Sequence, residues 1–222
     1  MDENVLKLTF PIGRLVAGSV HTGVGIDKFN GGVQFVYKTG PKAGQQKFKQ
    51  WFCLAITKRK SGEAWEDTNW GKSIQEIAAK AFPKHYKIPT FSYKISDGDS
   101  DIPGPSGKAP VEREGYKNHW VVTFTNWSAT ELSETPIYTR DGKNKIDAGV
   151  KVNPGDYIQV TAMIRSNTST TKPGLLITQR AISYCAFGER IIFDDLVPTD
   201  EFGKDELPEG AKPIQTGYDD DL

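Results

Sequence analysis

The chain has 222 residues, 28 Lys/Arg against 28 Asp/Glu, and 37 % hydrophobic residues, enough for one buried core with extensions and short for two. No apolar run approaches the ~20 residues that span a bilayer, which excludes a helical membrane crossing. The formal neutrality hides a division. From Glu189 onward there are 11 acidic and 3 basic residues, so that segment carries −8 and everything before it +8. A basic body with an acidic tail can hold a polyanion on the body and a basic partner with the tail. The tail can equally cover the body's own surface, or serve solubility alone.

The start, Met1-Asp2-Glu3-Asn4, is acidic and runs straight into a strand-like pattern, so no secretory signal is expected. Two-residue alternation then dominates. Leu6, Leu8 and Phe10 alternate with Val5, Lys7 and Thr9. Residues 13–20 continue as a strand in which Gly18 marks a bulge or sharp bend. Val33 to Lys38 and Phe48 to Thr57 read as a β-hairpin, joined by the glycine- and proline-containing loop 39–44. One helix is predicted: Ser73 caps it, Glu76 completes a capping box, Ile74, Ile77, Ala78 and Ala81 form its apolar stripe, and Pro83 stops it.

Residues 86–114 are a long Gly/Pro/Ser/Asp-rich excursion with a short strand at Thr90–Ile95. Asn118–Thr125 resumes the pairing, with Trp120, Val122 and Phe124 on one face and His119, Val121 and Thr123 on the other. The turn Asn153-Pro154-Gly155-Asp156 precedes a strand at Tyr157–Arg165, and Gly174–Phe187 is the last. Beyond about Asp194 the sparse apolar residues predict a mobile tail. The organisation is thus a domain over 1–193 and an acidic tail over 194–222. The fold class is all-β: an OB-fold, a five-stranded antiparallel barrel with one helix and long inserted loops. An immunoglobulin-like sandwich competes, and the central helix and the bend at Gly18 count against it.

Strand 47–57 carries the functional signal. If Phe48, Phe52, Leu54 and Ile56 fill the core, Lys47, Lys49 and Trp51 emerge together on the opposite face. Two cations beside an exposed indole suit an unpaired nucleic-acid strand, because cations follow phosphates while the ring stacks any base. On the facing strand Phe35 and Tyr37 are candidates for either core or contact. Arg59 (between Lys58 and Lys60), Lys117 and Arg165 are further phosphate candidates. Tyr116, His119 and Trp120 could continue the platform, with Tyr116 and Trp120 as added stacking rings.

The enzymatic patterns fail one by one. Asp97, Asp99 and Asp101 begin like a calcium loop, but Ile102 and Lys108 stand where Gly and Glu are required, so a solvated loop is expected. Residues 40–47 lack the Gly-Lys-Ser/Thr ending of a phosphate loop, and Gly23-Val24-Gly25 has no third glycine. His21, His85 and His119 have no metal-ligand spacing. Cys53 and Cys185 read as reduced core thiols, so the sequons Asn126-Trp127-Ser128 and Asn167-Thr168-Ser169 carry little weight. No catalytic residue, metal or cofactor is expected.

Several segments, in order, resemble the phage-encoded single-stranded-DNA-binding proteins of the OB-fold type. They are Gln50-Trp51-Phe52-Cys53-Leu54-Ala55-Ile56 with trailing Lys58; Ser96-Asp97-Gly98-Asp99; Glu114-Gly115-Tyr116-Lys117-Asn118-His119-Trp120; Val152-Asn153-Pro154-Gly155-Asp156-Tyr157; and a last strand bounded by Gly174 and Gly188-Glu189. The resemblance covers most of residues 5–193 and is a set of weak motifs in the right order. It implies sequence-independent binding of single-stranded DNA, no catalysis, and a place in replication and recombination in the cytoplasm of an infected bacterium. The ending Tyr218-Asp219-Asp220-Asp221-Leu222 is similar to the acidic tails of replication single-strand-binding proteins. Such tails recruit polymerases, helicases, nucleases or recombinases, and Leu222 stands where several of them carry Phe. A carbohydrate-binding or virion-associated β-module is the alternative. It uses the same rings but gives the charge division no role.

Overall fold

The computed structural model describes residues 5–27, 31–104, 107–147, 149–167, 169 and 171–192. Contacts group Met1–Ile191 as one unit and Ile192–Leu222 as another, and the first is described here. The strands are β1 (Val5–Thr9), β2 (Gly13–Gly18), β3 (Ile26–Asp27), β4 (Val33–Gln34), β5 (Phe48–Thr57), β6 (Ile95–Asp97), β7 (His119–Ser128), β8 (Ile137–Tyr138), β9 (Tyr157–Ser166) and β10 (Leu175–Ala186). The helix α1 (Asn69–Ala81) lies between β5 and β6.

Eight strands form one sheet in the order β6-β7-β5-β2-β9-β10-β8, with β1 also paired to β9; β3 and β4 make a separate pair. The expected all-β architecture with one helix is present, but where a five-stranded antiparallel barrel is expected the sheet has eight strands and is open. β10 comes alongside β7, but no ladder joins them. Both edges that would meet are already taken: β6, from the 86–114 excursion, pairs with β7 at Trp120–Val122, and β8 pairs with β10 at Ile182–Ser183.

Alternation decides which residues are buried. Phe52, Leu54 and Ile56 of β5 face Val122 and Phe124 of β7 and Ile158, Val160, Ala162 and Ile164 of β9 in one core. Each fully buried aliphatic or aromatic side chain contributes about 1.5–3 kcal/mol. Phe10 links the layers: its ring is 5.2 Å from Phe124 and 5.7 Å from Trp70 on α1. The helix packs on β1 and β9 through Trp70, Ile74, Ile77 and Ala78. Ile74, Ile77 and Ala78 belong to the stripe read from its sequence, whereas Trp70 is not in it and Ala81 is only half-buried.

Its start differs from expectation. Thr68, not Ser73, is the N-cap: its Oγ1 accepts from the Gly71 N–H at 3.0 Å and donates to the Trp65 carbonyl at 2.6 Å. A Cβ at Gly71 would lie 1.9 Å from that carbonyl, so the tight entry requires glycine. Ser73 sits inside the first turns, donating back to Asn69.

Two other elements are shifted. Only Val33–Gln34 of the expected 33–38 strand is regular, paired with Ile26–Asp27. Residues 35–37 instead bond residues 45–47 through Tyr37 N to Gln45 O and Lys47 N to Phe35 O, both 3.0 Å. The strand expected at Thr90–Ile95 falls at Ile95–Asp97.

The aspartates expected in a solvated loop hold a buried lysine. Lys58 donates to Asp97 and, at 2.7 Å, to Asp99, and its Nζ lies 4.3 Å above the Trp120 ring. Asp99 also accepts the Asn118 N–H at 2.7 Å. Burial disfavours the Lys58 ammonium, but the two carboxylates outweigh it and hold its pKa above the ordinary value.

Candidate nucleic-acid interface

The outward face of β5 and β7 can be read from the register. Lys49 pairs with Trp127, Trp51 with Thr125, Cys53 with Thr123, Ala55 with Val121 and Thr57 with His119. Each such pair lies on one side of the sheet. The face divides into three zones.

At the β5 start it is aromatic and cationic. Lys49 and Trp51 stand on it half-buried, and Trp127 is 42 % exposed beside them. The 35–47 hairpin leans against the same place. Phe35 meets the Trp127 ring edge-on at 5.0 Å and 85°. The Lys47 ammonium is 4.2 Å from the Trp127 centroid and 5.6 Å from that of Tyr37, and Lys42 is 5.9 Å from Tyr37. Backbone sterics set this end. Gly18 of β2 turns there at φ +77°, and a Cβ on it would meet the Trp51 carbonyl at 2.3 Å. The chain then leaves β2 through Ser19, whose N–H donates to that carbonyl at 3.1 Å. Val24 exchanges both backbone hydrogen bonds with Lys49, at 2.9 and 3.0 Å.

The middle zone is covered. Val16, Cys53, Ala55, Tyr116, Val121 and Ile191 form a second, smaller core there, with Ala17 and Trp51 against it. Burial pushes both the Cys53 thiol and the Tyr116 phenol above their ordinary pKa values. Arg14 of β2 borders this cover. Its guanidinium donates to the Gly155 carbonyl at 3.1 Å and the Glu189 carbonyl at 2.6 Å.

The far zone holds His119, whose Nδ1 donates to the Lys117 carbonyl at 2.6 Å, with exposed Lys117 and Arg59 nearby in the chain. At about 3.3 Å per residue this end is on the order of 25–30 Å from Lys49.

The structure therefore brings together Lys47, Lys49, Trp51 and Tyr37 of the expected residues. It places Arg59, Lys117 and His119 at the opposite end of the same strands. Tyr116 and Trp120 require correction. Tyr116 is 5 % exposed in the covering cluster, and Trp120 is 7 % exposed in the main core beneath Lys58, so neither presents a free ring. Arg165 is exposed but on β9, opposite Val5 and Leu176, away from β5 and β7. The tail residues Tyr218, Asp219, Asp220, Asp221 and Leu222 lie outside the described residues.

Sequence reasoning missed Trp127, Phe35's contact to it, and Lys42. The signal for Trp127 was present: extending the 119-121-123 alternation to 125 and 127 puts it on the Trp51 face. Among the described residues no cluster of His, Cys, Asp and Glu could hold a metal ion, and no helix is long and apolar enough to cross a membrane.

No protein-family model and no curated protein sequence matches the chain. Among solved structures it is similar to the single-stranded DNA-binding protein from bacteriophage Enc34 in C-terminally truncated form. That match has 12 % identity over 86 % of this chain and 90 % of that one, with a TM-score of 0.51. The Enc34 protein in complex with ssDNA gives 13 % identity, 86 % and 91 % coverage, and a TM-score of 0.50. Gp2.5 of bacteriophage T7, also a single-stranded DNA binding protein, gives 11 % identity over 94 % and 99 % with a TM-score of 0.45, too slight a likeness to argue from. At such identities the shared property is the fold: mostly β-sheet, one helix, an open sheet. Both Enc34 structures are of a single-stranded DNA-binding protein.

Proposed function

We propose that the protein binds single-stranded DNA without sequence preference, coating and protecting transient single strands during replication and recombination of a phage genome in the host cytoplasm. One observation carries this reading: rings and ammonium groups interleave on an outward face, with Phe35, Tyr37 and Trp127 in contact with one another or with Lys42 and Lys47, and Lys49 and Trp51 beside them. Bases stack on Trp127, Tyr37 and Trp51 while the three lysines neutralise phosphates; Arg59 and Lys117 serve a strand that continues to the far end. Stacking needs no base identity, because every base has a π-face. The fold supports the reading, since the Enc34 structures that resemble it include one in complex with ssDNA.

Within the open sheet, β2, β5, β7, β9 and β10 are read as the five strands of an elaborated OB-fold. Their pairings β2–β5, β5–β7, β2–β9 and β9–β10 favour this. The acidic tail ending in Tyr218–Leu222 is assigned a double role, engaging replication proteins and competing with DNA for the cationic face.

Titration of a labelled oligo-dT at several salt concentrations tests the reading. Each neutralised phosphate lowers the slope of log K against log salt by about 0.7, so an oligo-dT covering only the three lysines gives a slope of about −2 and one long enough to reach Arg59 and Lys117 a slope of about −3.5. Absence of binding at micromolar protein and low salt overturns it. Truncation from Pro198 should tighten DNA binding, and an unchanged affinity would remove the competing role of the tail.

A further inference from the structure

We infer that Tyr37 and Trp127 form a two-ring slot for a single nucleobase, and that Lys47 occupies this slot in the unliganded protein and moves to a phosphate when the base enters. The inference deepens the proposed function and rests on it. The Lys47 ammonium lies 4.2 Å from one ring centroid and 5.6 Å from the other, so the rings are no further apart than those two legs laid end to end. Stacking a flat ring between two others needs van der Waals contact of about 3.5–4 Å on each side, about 7–8 Å in all, which lies within that upper limit.

The slot is braced and open. Phe35 supports Trp127 edge-on, Trp127 keeps 42 % of its surface exposed, and Lys42 stands at the Tyr37 side. Both rings lie on backbone held by hydrogen bonds: the Tyr37 N–H donates to the Gln45 carbonyl, and the Trp127 N–H, opposite Lys49 in the β5–β7 register, donates to the Asn126 side chain.

The exchange is favourable by magnitude. An exposed cation–π contact shifts an equilibrium by roughly two- to fivefold, and base–aromatic stacking by roughly five- to 150-fold. An arriving base therefore wins the ring faces. The displaced ammonium is then free to swing to a backbone phosphate of that nucleotide. Lys47 thus acts in two opposed ways, as a phosphate ligand that aids binding and as an occupant that resists it. Salt separates the two, because phosphate neutralisation weakens steeply with salt and removal of an occupant does not.

The test compares Lys47→Met with Lys49→Met in the full chain, using the same labelled oligo-dT from about 50 mM to about 500 mM salt. Lys49→Met should bind more weakly than wild type at low salt and approach it at high salt without crossing. Lys47→Met should bind more weakly at low salt and about two- to fivefold more tightly at high salt, the size of the lost cation–π contact. Without DNA, Lys47→Met should also raise acrylamide quenching of the Trp127 emission, obtained as the difference from a Trp127→Phe background. Two lysine variants with the same non-crossing salt profile overturn the slot while DNA binding stands, as does Trp127 quenching unmoved by Lys47→Met. If wild type fails to bind oligo-dT at all, the parent reading falls and the slot with it.

Discussion

Replacing Asp97 and Asp99 together by Asn is predicted to destabilise the protein by about 2–3 kcal/mol, whereas Lys58→Met should cost less than about 1 kcal/mol. The asymmetry follows from burial. The Lys58 side chain is 4 % exposed, while those of Asp97 and Asp99 are 41 % and 36 % exposed. Asn keeps an oxygen for the N–H groups of Asp99 and Asn118, which the carboxylates accept at 2.9 and 2.7 Å, so the double change removes mainly countercharge. An ammonium stranded in an interior costs about 3–5 kcal/mol; water that already reaches the two half-exposed aspartates lowers that figure. Met keeps apolar atoms over Trp120 and leaves behind carboxylates that water can solvate. The assay is urea unfolding of the full chain at neutral pH. At about 2–4 °C per kcal/mol for a domain of this size, melting of the double variant should fall by roughly 4–12 °C.

Acidity and alkalinity give a second readout of the same cluster. Hydrogen bonds from Lys58 and then from the Asn118 N–H hold Asp99 below the ordinary carboxylate range. Its stabilisation is present above the unfolded-state value of about 3.9 and is lost as pH falls through the lower folded value. The raised pKa of Lys58 acts at the other limit: its contribution is present below about 10.4 and is lost as pH rises through the folded value. Lys58→Met should flatten both limbs. Equal losses from Lys58→Met and from the double Asn variant would refute the reasoning.

Trp127→Ala should weaken ssDNA binding by about 1–3 kcal/mol, measured by equilibrium titration, while Tyr116→Phe should leave affinity unchanged because that ring is buried under the covering cluster. Gly18→Ala should destabilise by more than about 1 kcal/mol in urea unfolding, since the residue holds φ +77° against the Trp51 carbonyl, and should weaken DNA binding through displacement of Trp51.

Local periodicity carried the strands and the faces. Trp120, Val122 and Phe124 went inward and Lys49 and Trp51 outward as their parity required. Periodicity stops where the determinants are not local. Ser73 and Glu76 have the spacing of a capping box, but the helix begins where Trp65 and Thr68 fold back on Gly71. Tyr116 comes from a loop without alternation, so nothing in its neighbours signalled that it covers Cys53 and Val121. Arg165 had a legible face and an illegible address, because strand order is set by pairings between residues more than a hundred positions apart. Trp127 was lost to a strand end placed at Thr125, three residues early.

The guanidinium of Arg14 has a mechanical consequence. By gripping the carbonyls of Gly155 and Glu189, it rivets the chain's exit to the strand that ends at Gly18. A pull from beyond Ile192 meets Ile191 first, seated in the second core with its N–H on the Pro154 carbonyl, and then this rivet, and so the strand whose last turn props up Trp51.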